Sequence, residues 1–431
     1  MKPFNTAFKY AIASFLILFL AAPLLLGRTL PQTKPEMVGV SSEKLEQIQT
    51  IAEDYIKQNK IAGTVVLMAR HGKIFYHRSF GRADEGKPMQ PDAIFRICSM
   101  SKAITSVAVM MLYEEKKLKL DDRLSKYIPE FGRPKVVVRN RGKDRKKKPY
   151  FLEKARRPIL IRHLLTHTSG LSYRFWGKNF VGKLYVEAGI SDGLTQTEGT
   201  LEDMMKKLGK LPLLFHPGEK WEYGLSNDVL GRVVEVVSGM PFDQYLEEKL
   251  FKPLGMKDTF FFVPKDKANR LVAIYKPTAD GKLRKMGVDP ETPNKYLVHS
   301  ASAHTSGPKT YFSGGGGLAS TAYDYALFLQ MLLNGGELNG IRFLNKKSIT
   351  SMTTNQIGPL KNFIGGFKWG FGVAPIDGPT GSLYVWGGHF YTSFWVDPDR
   401  DILGVVMTQR YPAIDHNNKI WGVVSQSITG N

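Results

Sequence analysis

At 431 residues the chain is longer than one compact domain usually holds, and its 42% hydrophobic content suffices for a two-lobed globular core. The single cysteine, Cys98, excludes an intramolecular disulfide and any zinc site built from several thiolates. The net charge of +21 is large, and much of it comes from one internal segment described below.

Lys2 and Lys9 lead into an uncharged run over residues 10–27, with Phe15-Leu16-Ile17-Leu18-Phe19-Leu20 at its centre. The run is longer than the about 7–15 residues of an export-signal core. It is slightly shorter than the ~20 of a spanning helix, and Pro23 interrupts it. Leu20-Ala21-Ala22 runs straight into Pro23, which is a poor cleavage site, and there is no nearby cysteine to carry a lipid. Residues 1–28 therefore read as an uncleaved membrane anchor, with a cleaved signal peptide as the alternative. Either places the remaining chain outside the cytoplasm, in a periplasmic setting, and the uncleaved segment would tether it to the membrane.

Residues 41–60 carry Leu45, Ile48, Ile51, Ala52, Tyr55 and Ile56 at helical spacing. Residues 62–69 and 74–80 then read as two strands of a hairpin around Arg70-His71-Gly72-Lys73. Next comes Phe95-Arg96-Ile97-Cys98-Ser99-Met100-Ser101-Lys102, an apolar segment that turns into a helix over residues 103–117. Ser99 stands at the join, where exposed N–H groups and the helix dipole favour negative charge. Lys102 follows on the same helix face. An amine held against a hydroxyl in a dry site can act as a base once its pKa is drawn below about 10.4. Ser41 with Lys44 and Ser306 with Lys309 repeat the spacing. The first opens an amphipathic helix as a cap, and the second lies in a Gly/Pro/His-rich loop. These local features leave Ser99 open as either a nucleophile or an ordinary N-cap.

Residues 133–157 hold twelve lysines and arginines against Asp144 and Glu153, a local net charge of +10. Residues 139–148, from Arg139 through Lys148, read as an exposed loop. It is either a solvated insertion or a surface that docks on anionic lipid headgroups. Nucleic acid is set aside because no aromatic residues interleave the charges.

Residues 159–166 form a predicted helix with Thr168-Ser169-Gly170 as its C-cap. His163 and His167 have metal-ligand spacing on it, but Leu164-Leu165-Thr166 between them lacks the glutamate of a metalloprotease helix, so both are expected to be structural. Pro217-Gly218 turns the chain into Trp221-Glu222-Tyr223-Gly224-Leu225-Ser226, followed by a helix over residues 227–238 that Gly239 caps. Tyr223 on its tight loop is, by default, a packed aromatic. Ser313 and Gly314 through Gly317 precede a helix with a Thr321/Asp324 capping box. The glycines fit a tight crossing between lobes better than a dinucleotide loop. Residues 383–386, 392–396 and 402–408 read as strands, with Trp386-Gly387-Gly388-His389 between the first two. Residues 415–428 read as a helix. Strands at both chain ends around a helical middle predict one antiparallel sheet, flanked by helices, with an inserted, mainly helical lobe. We expect residues 36–135 and 300–431 in the α/β lobe and 136–299 in the helical one.

The order of these motifs resembles the serine β-lactamase and penicillin-binding-protein-like superfamily, class C β-lactamases and family VIII carboxylesterases above all. The marks are the segment from Phe95 to Lys102, Leu164-Leu165-Thr166-His167-Thr168-Ser169-Gly170-Leu171, and Trp221-Glu222-Tyr223-Gly224-Leu225. Gly316-Gly317-Leu318-Ala319-Ser320-Thr321 and Trp386-Gly387-Gly388 complete them. The resemblance covers residues 36–428 and implies a β-lactamase/transpeptidase-like α/β (α+β) fold. It also implies Ser99 as the acylated nucleophile, Lys102 and Tyr223 as base and acid, and the Ser99 and His389 N–H groups as an oxyanion hole. No metal or cofactor is implied. Two departures favour esters. Leu225 stands where lactamases place an amide, with Asn227 as a substitute of uncertain position, and Trp386-Gly387-Gly388 replaces Lys-Thr-Gly at the substrate-binding edge. The expected activity is a serine hydrolase acting as a carboxylesterase on small esters. Alternatives are a β-lactamase or D-amino-acid peptidase acting on amides, and a non-catalytic binding protein.

Overall fold

The computed structural model describes residues 29–177, 179–287, 290–293, 296–360, 368–378 and 381–429. The expected signal or anchor at residues 1–28 lies outside the described residues. Among those described, no helix is long and apolar enough to cross a membrane.

Ser41 accepts the Lys44 N–H and opens α1 (Ser42–Lys57). Strands β1 (Gly63–Arg70), β2 (Lys73–Asp84) and the short β3 (Lys87–Pro88) follow, and then α2 (Ser101–Glu114). The basic insertion is a hairpin of β4 (Lys135–Arg139) and β5 (Tyr150–Lys154), and the stretch expected as an exposed loop, Arg139 through Lys148, forms its irregular tip apart from Arg139, which closes β4. The middle of the chain is mainly helical: α3 (Ile161–Leu165), α4 (Phe180–Glu187), α5 (Leu201–Leu208) and α6 (Ser226–Ser238). After α7 (Ala322–Leu333), strands β6 (Ala374–Asp377), β7 (Ser382–Gly387), β8 (Thr392–Asp397) and β9 (Ile402–Met407) complete the sheet, and α8 (His416–Ser427) ends the chain.

The seven strands run in the order β6-β7-β8-β9-β1-β2-β3, every pairing antiparallel, so the C-terminal strands meet the N-terminal hairpin at β9 and β1. All of β1 is buried because both faces of the sheet are covered. Val66 and Met68 pack with Leu45 and Ile48 of α1 and with Ile420 and Val424 of α8. Val65, Leu67 and Ala69 face the large core shared with α2, α6 and α7.

Three local expectations are corrected. Helix α3 stops at Leu165, so Gly170 (φ +86°) does not cap it. Instead, Gly170 turns the chain where a Cβ would lie 2.4 Å from the Phe215 carbonyl. His167 has a left-handed backbone (φ 54°) beyond the helix end, so it does not share a helix face with His163. Thr321 does cap α7, accepting the Asp324 N–H at 3.1 Å, but the Asp324 carboxylate turns away to the Asp258 N–H and the Thr259 hydroxyl.

Candidate active site

Ser99 is presented by a short strand, a strained turn and a helix. Phe95–Arg96 pairs with Ala319–Ser320, and the Ile97 N–H donates to Leu318 O at 3.0 Å. Cys98 then takes a left-handed backbone (φ 44°), which any residue other than glycine adopts at a cost. This turn, continued by a 3₁₀ turn over Cys98–Met100, brings Ser99 outward at the mouth of α2. Residues 93–98 and 100–110 are buried, and Ser99 between them is half-exposed.

Lys102 sits one turn along and is fully buried. Its Nζ donates to Ser99 Oγ at 3.1 Å and to the Gly315 carbonyl at 2.6 Å, and it lies 4.6 Å from the Tyr223 ring centre. Burial lowers the amine from 10.5 to about 7, with Asp228, Cys98 and Asp192 opposing the shift.

The Gly315 carbonyl is aimed by the loop over residues 313–317. Ser313 Oγ donates to Asp228 Oδ1 at 2.6 Å, Tyr311 donates to the same oxygen at 3.3 Å, and Thr105 donates to Gly314 O at 2.8 Å. A Cβ on Gly314 would stand 2.4 Å from the Asn227 carbonyl, and one on Gly315 would stand 2.5 Å from Asp228 Oδ2. The glycines therefore let the loop touch α6. Sequence reading placed them at such a crossing but missed the Gly315 carbonyl, Asp228 and Asp192. Asp228 and Asp192 are buried acids whose pKa burial raises, Asp192 to about 8. The available signal was an acid inside the apolar stripe of α6, five residues beyond Tyr223.

Tyr223 comes from the loop before α6. Gly224 packs so closely that a Cβ would lie 2.5 Å from Leu171 O, and its N–H donates to His167 Nδ1 at 3.3 Å. Trp176 Nε1 donates to Tyr223 O at 2.9 Å. The phenol faces the Ser99 hydroxyl, which draws its pKa down, and accepts from Trp386 Nε1 at 3.1 Å, while burial outweighs both, raises its pKa and keeps it a neutral phenol. His167 is fully buried among Tyr223, Trp221 and Trp369, and its pKa is driven well down. It is thus a neutral acceptor that holds the Tyr223 loop. His163 accepts separately from the Leu160 N–H at 3.1 Å. No cluster of metal-ligating residues occurs among the described residues.

The opposite edge is the end of β7. Trp386, Gly387, Gly388 and His389 are all half-exposed. The Gly388 N–H donates to Thr392 O at 2.8 Å, and a Cβ there would lie 2.4 Å from Ile97 O, so this edge sits directly on the segment leading to Ser99. The His389 and Phe390 N–H groups lie beside the buried Cys98 thiol, whose pKa burial pushes up to about 11. The His389 ring pairs Nε2 with His299 Nδ1 at 3.1 Å and stacks on Tyr411. Burial lowers both histidines, to about 3 and about 4 respectively, so the pair is neutral.

Two expected substrate contacts fall elsewhere. Leu225 is 1% exposed and belongs to the core, because α6 begins one residue later and turns this side chain inward. Asn227 is equally buried and donates to the Lys102 carbonyl at 3.4 Å, bracing the start of α2.

Residues 48–425 match the β-lactamase family. Protein Rv1367c of Mycobacterium tuberculosis is 31% identical over 372 residues, covering 82% of this chain and 86% of that one. Esterase EstB of Burkholderia gladioli is 31% identical over 365 residues, covering 81% and 86%. The solved structure of EstCE1, described as a hydrolase with promiscuous acyltransferase activity, superposes with a TM-score of 0.74 at 28% identity. It covers 90% of this chain and 99% of that one. The chain is a serine hydrolase that belongs to the β-lactamase family.

Proposed function

We propose that the protein hydrolyses small, uncharged carboxylic esters through an acyl-enzyme on Ser99, in a cleft between the sheet-bearing residues 36–135 and 300–431 and the helical residues 136–299. The observation that carries this reading is the 3.1 Å contact between Ser99 Oγ and a buried Lys102 amine with a pKa near 7. A base is most effective when its pKa lies near the working pH. Lys102 takes the Ser99 proton as Oγ bonds to the ester carbonyl carbon. Tyr223, beside Ser99, hands its proton to the departing alkoxide as the C–O bond breaks, and is reprotonated from Lys102. Water then repeats the sequence on the acyl-enzyme and releases the acid. The Ser99 and His389 N–H groups receive the oxyanion, each worth about 3 kcal/mol. None of these steps calls for a metal or cofactor.

Trp386 supports ester over lactam. Its indole donates to the Tyr223 phenol and offers apolar surface in place of a cation for a β-lactam carboxylate. A charged hydrogen bond of that kind is worth roughly 1.5–3 kcal/mol, so its loss costs about one to two orders of magnitude. EstB and EstCE1 are an esterase and a hydrolase by description, which agrees with this preference. The test is kcat/KM for an aryl butyrate and for nitrocefin on one preparation. The ester is expected to win by at least tenfold, and nitrocefin equal to or faster than the ester would transfer the assignment to the lactam or peptide amides. Acyl transfer is the second reading, favoured by the described activity of EstCE1. It predicts that added alcohol diverts the acyl group from water into a new ester.

A further inference from the structure

The β4–β5 hairpin carries two features on one projection. From Arg139 through Lys148 it holds seven basic residues against Asp144, and every residue from 141 to 152 is exposed. Asp144 is occupied within the tip, accepting from Asn140 Nδ2 at 2.9 Å. The ion pairs nearest in sequence, Arg156 with Glu153 and with Glu219, lie outside the tip, and no acid among the described residues pairs with its cations. Next to this charge is apolar surface. Six large hydrophobic side chains are exposed among the described residues, and three are consecutive on β5: Tyr150 at 37%, Phe151 at 49% and Leu152 at 47%. Single exposed apolar residues are ordinary, but apolar side chains on both faces of one strand, Phe151 on one and Tyr150 and Leu152 on the other, beside a cationic tip are not explained by solvation.

The base of the hairpin is firm. Val136 and Val137 are buried in the core, the Val137 N–H donates to Leu213 O at 2.9 Å, and the Tyr150 ring packs on Phe180 of α4 at 4.8 Å. The projection is thus held by the fold while its tip and outer strand stay uncovered. A second copy of this chain is a poor partner, because the same +21 surface would face itself. Cations that pair with headgroups and aromatic or aliphatic side chains that enter the headgroup boundary are the two components of binding to an anionic bilayer.

We infer that the hairpin of Lys135–Arg139 and Tyr150–Lys154 docks the enzyme on an anionic lipid surface, with the basic tip on the headgroups and Phe151, on the strand face opposite Tyr150, in the interface. This goes beyond the hydrolase reading and stands independently of it. The test uses the full chain with Phe151→Cys carrying an environment-sensitive fluorophore. Cys98, 1% exposed, stays unlabelled. A probe at this position reports local insertion even when another segment carries the protein to the vesicle. Its emission is expected to shift to the blue on phosphatidylcholine vesicles containing phosphatidylglycerol, but not on phosphatidylcholine alone. The shift fades in about 1 M salt, where the Debye length is about 3 Å. Each basic residue near such a surface is worth about fivefold, so Lys146→Gln, Lys147→Gln and Lys148→Gln together should weaken the hairpin–lipid equilibrium about 100-fold. Hydrolysis of a soluble aryl ester should be unchanged, which also reports that the variant is folded. The inference is overturned by an equal shift on neutral vesicles or by insensitivity to the triple substitution. A probe that responds to an oligonucleotide or an acidic protein but not to lipid overturns it as well.

Discussion

Replacing Lys102 by methionine separates the catalytic use of this side chain from its cost to the fold. Burial takes the amine from 10.5 to about 7. At about 1.4 kcal/mol per pH unit, the fold disfavours the ammonium by about 5 kcal/mol. The folded pKa lies below the unfolded one, so between these two values the unfolded chain binds the extra proton and stability rises with pH. The penalty is therefore complete below pH 7 and relieved as the pH approaches 10.5. Methionine fills a similar volume without charge, but it strands the buried Gly315 carbonyl at a cost of about 1–3 kcal/mol. The variant should accordingly be more stable than the parent by about 2–4 kcal/mol near pH 6, and no more stable near pH 10. Asp192, with a pKa of about 8, titrates in the same range and feels the Lys102 charge in the parent alone, so the two proteins are compared at pH values on either side of it. Urea unfolding of both proteins at the two pH values measures this, alongside kcat/KM for an aryl butyrate. The parent rate should fall as the pH drops below about 7, and the variant should lose about 10²–10⁴ of it. A stability difference that is the same at both pH values would refute the account of Lys102 as a neutral amine at working pH.

Ser99→Ala should abolish turnover and labelling by a fluorophosphonate while the unfolding midpoint barely moves, because Ser99 is a small, half-exposed residue. An intact-mass adduct that persists in this variant would place the nucleophile elsewhere. Tyr223→Phe should cost about 10²–10⁴ in kcat, and combining it with Lys102→Met should add little, as for residues that act as one unit. Multiplicative losses in the double variant would count against the pairing. Asp228→Asn keeps the shape of the Ser313 contact but removes a charge that raises the Lys102 pKa. The acid limb of kcat/KM should move to lower pH, and an unmoved limb would show that Asp228 only braces the loop.

What the sequence makes legible here is local, and what it hides depends on distant burial. Ser99 and Lys102 can be paired from spacing alone, since one helical turn fixes their approach wherever the helix goes. Strands β1 and β9 declare themselves as apolar runs bounded by turns. Leu225 and Asn227 could not be placed this way. They flank the first residue of α6, where a shift of one position rotates a side chain by about 100° from cleft to core. Sequence reading places His167 on the same helix as His163 because nothing in Leu164-Leu165-Thr166 announces that the helix stops after Leu165 and that His167 adopts φ 54°. The hairpin was obscured by its own charge. Val136-Val137-Val138 and Tyr150-Phe151-Leu152 are strand-forming triplets, but the lysines between them dominate any composition window.

The Lys102 environment was the least legible part, and the reason is physical. The amine's pKa depends on being enclosed by segments around residues 192, 223, 228 and 315, and no local pattern states that they meet. One of its two hydrogen-bond partners is a backbone carbonyl, which has no residue signature at all. It is aimed there because Gly314 and Gly315 let the loop settle against α6 and because Asp228 holds Ser313. A motif can therefore name the base while its strength is set by side chains that no motif contains. Two proteins with the same Ser-x-x-Lys could then differ by several pH units in where they begin to work. Substitutions at positions 228 and 313, which need not touch a substrate, are where such a difference should arise.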